Sequence, residues 1–253
     1  MVKVIKIGGK LIENEAVLDE LCDKLMDLYP DCVLVHGGGS LAGQLSARLG
    51  IETRMHDGRR ITDWETLDVT IMAYAGLANK KVVAALQARG VNACGLSGCD
   101  MGIVVSHKRE VKDIDWGFVG DIDRVKAENL AYLLDKKIMP VVSPITFDLS
   151  GQLLNTNADS VASAVAIALS RLYEVELVFC FDKPGVLTDV DDESSVIPSI
   201  DRIRYREYAT QGVIHSGMMP KLENAFKTID AGVKSVRLTN PDNLTGGTVI
   251  VGE

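Results

Sequence analysis

Five short motifs put chemistry-bearing residues where backbone geometry concentrates charge. Lys6-Ile-Gly-Gly closes the apolar run Val2 to Ile7. A parallel core strand is ordinarily apolar along its length, so a lysine at its carboxyl end stands where α/β sheets bind ligands. Gly8 and Gly9 then let backbone N–H groups approach an anion closely. The plainer reading is a lysine snorkelling from a strand end beside a turn. Val35-His36-Gly37-Gly38-Gly39-Ser40 also leaves a short apolar strand and opens a helix stacking Leu41, Leu45 and Leu49. Free amides and the positive helix end face one point there, a cradle for phosphate or an oxyanion. Gly37 to Ala42 fits G-x-G-x-x-A as well. A dinucleotide site, however, needs an acidic residue closing the next strand, and no buried strand leads to Glu52 or Asp57. The P-loop pattern G-x-x-x-x-G-K-[ST] is absent.

Asp57-Gly58-Arg59-Arg60-Ile61-Thr62 sets two guanidinium groups beside a turn glycine, suited to a bidentate grip on a carboxylate. Taken alone, a solvated basic turn is the better explanation of such a pair, and Thr62 or Asp63 caps the next helix. Asn155-Thr156-Asn157-Ala158-Asp159 reads as a helix start, with Asn157 as N-cap and Asp159 in the first turn. Asn155 falls outside that account, and a carboxylate at this helix start would also orient nearby lysines. Ser216-Gly-Met-Met-Pro-Lys221 puts Pro220 at the first helical position and Lys221 in the first turn. The macrodipole disfavours a cation there by about 0.3–1 kcal/mol, so an anion, phosphate or aspartate, should compensate.

The elements that must position these residues alternate strand and helix along the whole chain, the pattern of a largely parallel sheet covered on both faces. Strands are expected at 2–7, 32–35, 138–142, 175–181, 233–238 and 248–251. Helices are expected at 15–28, 124–135, 158–170, 201–210 and 220–231. Residues 64–88 read as one long helix or two abutting ones, 91–120 as a hairpin insertion, and Pro140 as the irregular end of its strand. In the last helix Leu222, Ala225, Phe226 and Ile229 form one apolar stripe, and Gly232 ends it. The resulting fold class is a three-layer αβα sandwich around a mainly parallel open sheet. Residues 1–174 form an N-terminal lobe and 175–253 a C-terminal lobe, with no flexible linker between them.

The 253 residues suffice for one large α/β unit, and a 47 % apolar content fits a packed globular chain. A net charge of −8 argues against binding nucleic acid or anionic membrane through a general positive field. Cys22, Cys32, Cys94, Cys99 and Cys180 are scattered and odd in number, which reads as free buried thiols in a reducing cytosol. No signal-peptide core and no unbroken apolar run of bilayer length is present, and no metal site is expected. His56, His107 and His215 read as surface or packing residues.

Taken in order, these motifs resemble the amino-acid kinase family. The resemblance runs essentially end to end. It rests on Lys6-Ile-Gly-Gly, His36-Gly-Gly-Gly, Asp57-Gly-Arg-Arg-Ile-Thr, Gly95-Leu-Ser-Gly, Gly117-Phe-Val-Gly-Asp, Asn155-Thr-Asn-Ala-Asp, Asp182-Lys-Pro-Gly-Val-Leu and Gly217-Met-Met-Pro-Lys. It implies a cytoplasmic kinase that transfers a phosphoryl group from ATP to the side-chain carboxylate of an N-acylated glutamate, in arginine biosynthesis. Lys6 and Lys221 resemble the lysines that neutralise the transferring phosphoryl, and Asp159 the carboxylate that positions both. Gly9 and Gly38 resemble its backbone donors. Gly37 to Gly39, Arg60 and Asn155 look like the grip on the acyl amino acid, with Asn157 nearby. Gly8, Asp182, Gly185, Val186 and Leu187 look like part of the nucleotide site, and Mg2+ is implied as arriving on the ATP phosphates. A glutamate carboxylate, with a pKa of about 4.3, is already an ionised nucleophile at neutral pH, so no general base is required. What the reaction requires is cations and amides around a charge-rich transition state.

Three positions depart from the family pattern: Lys10 after the glycines, Ser40 where proline is common, and Arg59 where an apolar residue is usual. Arg59 raises the expectation of an acidic acyl group such as succinyl. The chain starts at its first strand, which by the resemblance predicts a homodimer insensitive to arginine. Uridylate kinase, carbamate kinase, aspartokinase and glutamate 5-kinase are rivals within the fold. A non-catalytic sensor and a dinucleotide dehydrogenase are rivals outside it. The Arg60 and Asn155 motifs favour an acylglutamate over UMP, and the length leaves no room for an aspartokinase regulatory domain. Retention of Lys6, Asp159 and Lys221 together argues against a pure sensor.

Overall fold

Alternation of apolar side chains along the central strands makes the chain a sandwich. The computed structural model describes residues 1–214 and 218–252; His215 and the Ser216-Gly217 start of the last motif lie outside the described residues. In chain order the strands and helices are β1 (Val2–Ile7), α1 (Lys10–Glu13), α2 (Glu15–Met26), β2 (Cys32–His36), α3 (Gly39–Leu49), β3 (Met55–His56), β4 (Arg59–Arg60) and α4 (Trp64–Thr70). A π-helical stretch, Ile71–Ala78, joins α4 directly to α5 (Asn79–Gln87). Then come β5 (Ala93–Leu96), β6 (Val104–Lys108), β7 (Gly120–Val125), α6 (Ala127–Asp135), β8 (Met139–Val142), β9 (Ile145–Phe147) and β10 (Leu153–Asn155). The last elements are α7 (Ala158–Leu169), β11 (Val175–Cys180), β12 (Ser199–Ile200), α8 (Arg202–Thr210), α9 (Met219–Asp230), β13 (Ser235–Thr239) and β14 (Thr248–Val251).

Among the described residues the main sheet has eight strands in the order β12-β14-β13-β11-β1-β2-β8-β5, parallel except for the β13–β14 pair. Val2 and Val4, Val33 and Val35, and Val175 and Leu177 point into one core with α6, α7 and α9. The intervening Ile5 and Ile7, Cys32 and Leu34, and Val178 and Cys180 point into the other, with α2 and α5. The period of two thus buries both faces and yields the expected three layers. A smaller sheet, β10-β9-β6-β7, and the β3–β4 hairpin flank this body.

Two expectations need correction. Residues 91–120 are not all a hairpin insertion: β5 pairs with β8 at the edge of the main sheet, and only β6 and β7 form the antiparallel hairpin. Pro140 lies inside a strand flanked on both sides. Met139 donates its N–H to Asn92, toward β5, and pairing with β2 begins only at Val141 opposite Leu34. Proline therefore falls just before that ladder, where no donor is needed. The stretch 64–87 is long and apolar enough, by length and composition alone, to cross a bilayer. Leu67, Val69, Ala73, Ala78, Val82 and Leu86 along it are buried in the protein, the property of a core helix.

Candidate functional site

The carboxyl edge of the main sheet collects the charged candidates. Lys6 sits next to the end of β1, in register with Phe179 of β11. Even-numbered residues of β1 face the layer containing α7, so the Lys6 side chain rises toward the start of that helix. There its Nζ meets Asp159 Oδ1 at 2.9 Å. Asn157 caps α7 by accepting from the Ser160 N–H, which starts the helix beneath Asp159. Lys221 occupies the first turn of α9 in the same layer, and its Nζ lies 4.8 Å from the centroid of the Phe181 ring. Phe181 directly follows β11, the strand beside Lys6. Both lysines thus stand on one face of the sheet at one end. Cys180, close to Lys6, is pushed up to about 12, chiefly by burial, and stays a neutral thiol.

Gly8-Gly9 and Gly37-Gly38-Gly39 leave the neighbouring strands β1 and β2, and the two turns touch. A Cβ on Gly9 would lie 2.6 Å from Gly38 Cα and 2.7 Å from Gly38 N. Only glycine permits that approach. Gly38 is buried, and a Cβ there would meet the Tyr74 ring at 2.4 Å. Gly8 and Gly39 face open space. Gly38 and Gly39 open α3, so its unpaired amides face the same region. Ser40, the departure from proline, donates to Glu13 Oε2 at 3.3 Å, and Gln44 donates to the same oxygen at 2.6 Å. Glu13 thereby ties α1, behind the first glycine turn, to α3, behind the second.

Arg60 and Asn155 are joined through one short bridge of chain. Arg60 Nη2 donates to Gly39 O at 3.0 Å and Nη1 to Thr53 Oγ1 at 3.1 Å. Tyr74 lies against the same guanidinium, and burial outweighs that charge in raising its phenol pKa. Two residues on, Thr62 pairs with Gly117, where a Cβ would meet Thr62 O at 2.1 Å. Asn155 ends β10, is buried, and donates from Nδ2 to Thr62 Oγ1 at 3.0 Å. The Asp57–Thr62, Gly117 and Asn155 motifs therefore form one unit beside the second glycine turn. Asp63, rather than Thr62, caps α4 by accepting from the Thr66 N–H. Asn157 is exposed. Arg59 is exposed, and its charge is felt by Asp121, whose carboxyl is held low first of all by Arg109.

The Asp182–Leu187 loop follows β11 at the same sheet edge. Asp182 is exposed, whereas Gly185, Val186 and Leu187 are buried. Val186 N–H donates to Thr248 Oγ1 at 2.8 Å, and a Cβ on Gly185 would meet that oxygen at the same distance. His56 and His107 are exposed, and Cys99, expected to be buried, is exposed as well.

Sequence motifs alone gave no part to three residues. Tyr74 roofs Gly38. His36 is fully buried, and Asn79 is 1 % exposed beside it. A polar break, Asn79-Lys80-Lys81, in an otherwise apolar helical run was the available signal.

Comparison with known proteins places this geometry. The chain matches the Amino acid kinase family over residues 1–240. It is 52 % identical over 244 residues to an acetylglutamate kinase of Parabacteroides distasonis, covering 96 % of both chains. It is 53 % identical over 236 residues to an acetylglutamate kinase of Bacteroides thetaiotaomicron, covering 93 % of this chain and 92 % of that one. Among solved structures, a Streptococcus mutans protein superposes with a TM-score of 0.78 at 28 % identity, covering 99 % of this chain and 98 % of that one. A Giardia carbamate kinase superposes with a TM-score of 0.69 at 13 % identity, covering 100 % and 99 %. The ordered motifs, the shared sheet and the match over nearly the whole length lead to one assignment: this chain belongs to the amino acid kinase family.

Proposed function

We propose that the protein is an ATP-dependent kinase that phosphorylates the γ-carboxylate of N-acetyl-L-glutamate, a step of arginine biosynthesis. The observation that carries this reading is identity of 52–53 % with acetylglutamate kinases over more than nine-tenths of the chain. The geometry supports it, because the sheet edge offers cations and amides at one point and the acceptor needs no base.

In this reading a γ-carboxylate oxygen attacks the terminal phosphorus in line. The new O–P bond forms as the bridging bond to the leaving diphosphate breaks, ADP departs, and no proton moves. Lys6 and Lys221 offset the charge on the transferring phosphoryl, while Asp159 holds Lys6. Gly9 and Gly38 give N–H donors to its equatorial oxygens, and Gly8 leaves the approach open. Gly37 to Gly39, Arg60, Asn155 and Asn157 orient the acyl amino acid, with Asn155 itself fixed by Thr62. The backbone of Asp182 to Leu187 lines the nucleotide. Among the described residues no group of three or more His, Cys, Asp or Glu is arranged to hold a metal ion. In this reading Mg2+ arrives on the ATP phosphates, where it would neutralise charge. Residues 1–174 serve as the acyl-amino-acid lobe and 175–253 as the nucleotide lobe. A cytoplasmic homodimer completes the reading, supported by Trp64, Met72 and Leu77 exposed at 59, 48 and 45 % along the 64–87 helix. Light scattering reports the oligomer, and a monomer at micromolar concentration removes that part.

The direct test is ADP release with N-acetyl-L-glutamate, N-succinyl-L-glutamate, L-glutamate and UMP as acceptors. The expected result is turnover with the acetyl compound well above the other three. Preference for the succinyl compound would transfer the assignment to the alternative raised by Arg59. Turnover of UMP or free glutamate alone would end both.

A further inference from the structure

His36 and Asn79 form a polar pair buried directly beneath the second glycine turn, and no sequence motif gave them a task. Asn79 Nδ2 donates to Val141 O at 2.9 Å and stands 3.1 Å from His36 Nε2. Lys80 Nζ donates to Asn79 Oδ1 at 3.0 Å. A carbonyl on one side and an ammonium on the other fix which end of the amide is which, because the flipped amide would set oxygen against oxygen and NH2 against a cation. The amide therefore presents a proton to His36 Nε2, which must accept. A neutral imidazole that accepts at Nε2 carries its proton on Nδ1. Nδ1 is 2.8 Å from Gly37 O, so that proton holds the Gly37 carbonyl. Burial supports the neutral form, lowering the His36 pKa to about 4.

The carbonyl of one residue and the N–H of the next point to opposite sides of a trans peptide. Holding Gly37 C=O toward the buried imidazole turns Gly38 N–H away from it. The Gly37 N–H is separately anchored to Ile7 O at 2.9 Å, so the turn cannot rotate as a unit. Gly95 belongs to the same device. A Cβ there would lie 1.9 Å from Asn79 Oδ1 and 2.7 Å from Lys80 Nζ, which gives the glycine of Gly95-Leu-Ser-Gly a physical reason.

We propose that Asn79 is a positioning residue for phosphoryl transfer: by donating to His36 Nε2 it fixes the Nδ1–H tautomer, and His36 in turn orients the Gly37–Gly38 peptide. The inference rests on the reading of Gly38 N–H as a donor to the transferring phosphoryl. The imidazole never touches substrate and transfers no proton.

The test combines nitrogen-15 NMR of protein labelled at histidine and glycine with kinetics of three variants. In the wild type the His36 ring is expected to show a protonated Nδ1 and a bare, hydrogen-bonded Nε2; Nε2–H would overturn the proposal. His36→Leu keeps bulk and loses the donor. It is expected to lower kcat by about 100-fold, as removal of an oriented oxyanion donor does, with KM within a few-fold. His36→Asn puts an amide N–H in the place of Nδ1–H and is expected to retain kcat within about ten-fold. Asn79→Leu is expected to shift the Nε2 resonance to that of an unbonded nitrogen and to lower kcat by about ten-fold. Equal kcat for the Leu and Asn variants at position 36, both folded, would refute the orienting role. If the Gly38 amide resonance moves in His36→Leu but kcat does not, the assignment of Gly38 as donor falls, and the proposal with it.

Discussion

Lys6 and His36 carry opposite lessons about charge. Lys6 is paired with Asp159, whose side chain is 51 % exposed, so the pair contributes only about 0–1 kcal/mol to folding. Lys6→Met should therefore melt near the wild-type temperature while kcat falls by about 100- to 1,000-fold, the range for removing one oriented stabiliser. A folded Lys6→Met enzyme with wild-type kcat would take Lys6 out of the chemistry. His36 has its pKa lowered from 6.5 to about 4, first by burial. The unfolded chain takes up its proton near pH 6.5 and the folded chain only near 4. Between those values the unfolded state binds more protons, so stability falls with acidification, by roughly 3 kcal/mol in all. Urea titrations at pH 6.5 and 4 on wild type and His36→Asn should show the loss in the wild type and a smaller one in the variant. Equal losses would contradict the assignment.

At the scale of elements, the two glycine turns make different demands. A Cβ on Gly9 meets backbone at 2.6 Å, and backbone cannot step aside as a side-chain end can. Gly9→Ala should force the β1 and β2 turns apart, lowering both melting temperature and kcat. A Cβ on Gly8 meets nothing within 4 Å. Gly8→Ala should melt like the wild type yet raise the KM for ATP, because its methyl would occupy space left for phosphate. Circular-dichroism melts and initial rates on the pair separate packing from access. A destabilised Gly8→Ala protein would mean that the space belongs to the fold. Both turns were legible as loose anion-binding ends of strands. Their mutual contact was not, because β1 and β2 are joined through two helices and become neighbours only in the sheet.

Across the whole molecule, one buried carboxylate ties three adjacent strands. Glu176 of β11 is 1 % exposed and is held by Lys3 of β1 and by Arg237 of β13, whose Nε and Nη2 donate at 3.0 and 2.7 Å. Arg237 also donates to Thr245 O and Gly246 O, pinning the loop before β14. Removing the anion strands two cations in low dielectric, a loss of about 3–5 kcal/mol. For a chain of this size, Glu176→Ala should then melt about 6–20 °C lower. Lys3 and Glu176 lie toward the amino ends of their strands, away from the glycine turns, so kcat measured well below the melt should be unchanged. A Glu176→Ala protein with wild-type stability would show the triad to be incidental. Nothing at Lys3 or Arg237 announced this, since each reads as an ordinary polar residue in a strand.

The sequence by itself determined what depends on local order. The period of two in β1, β2 and β11, the stripe of α9, the Asn157 cap, and glycine turns following strands all follow from near neighbours, because side-chain direction and free amides are set within a few residues. It also ordered the motifs well enough to identify the family. Tertiary structure decided which distant groups meet. Lys6 finds Asp159 only because α7 packs over β1, and Asn155 finds Thr62 only because the small sheet lies beside α4. Asn79 acquires a function only because β8, β5 and His36 surround it. Those partners are set by packing between elements far apart in the chain, and no local periodicity encodes which buried polar atom will face which.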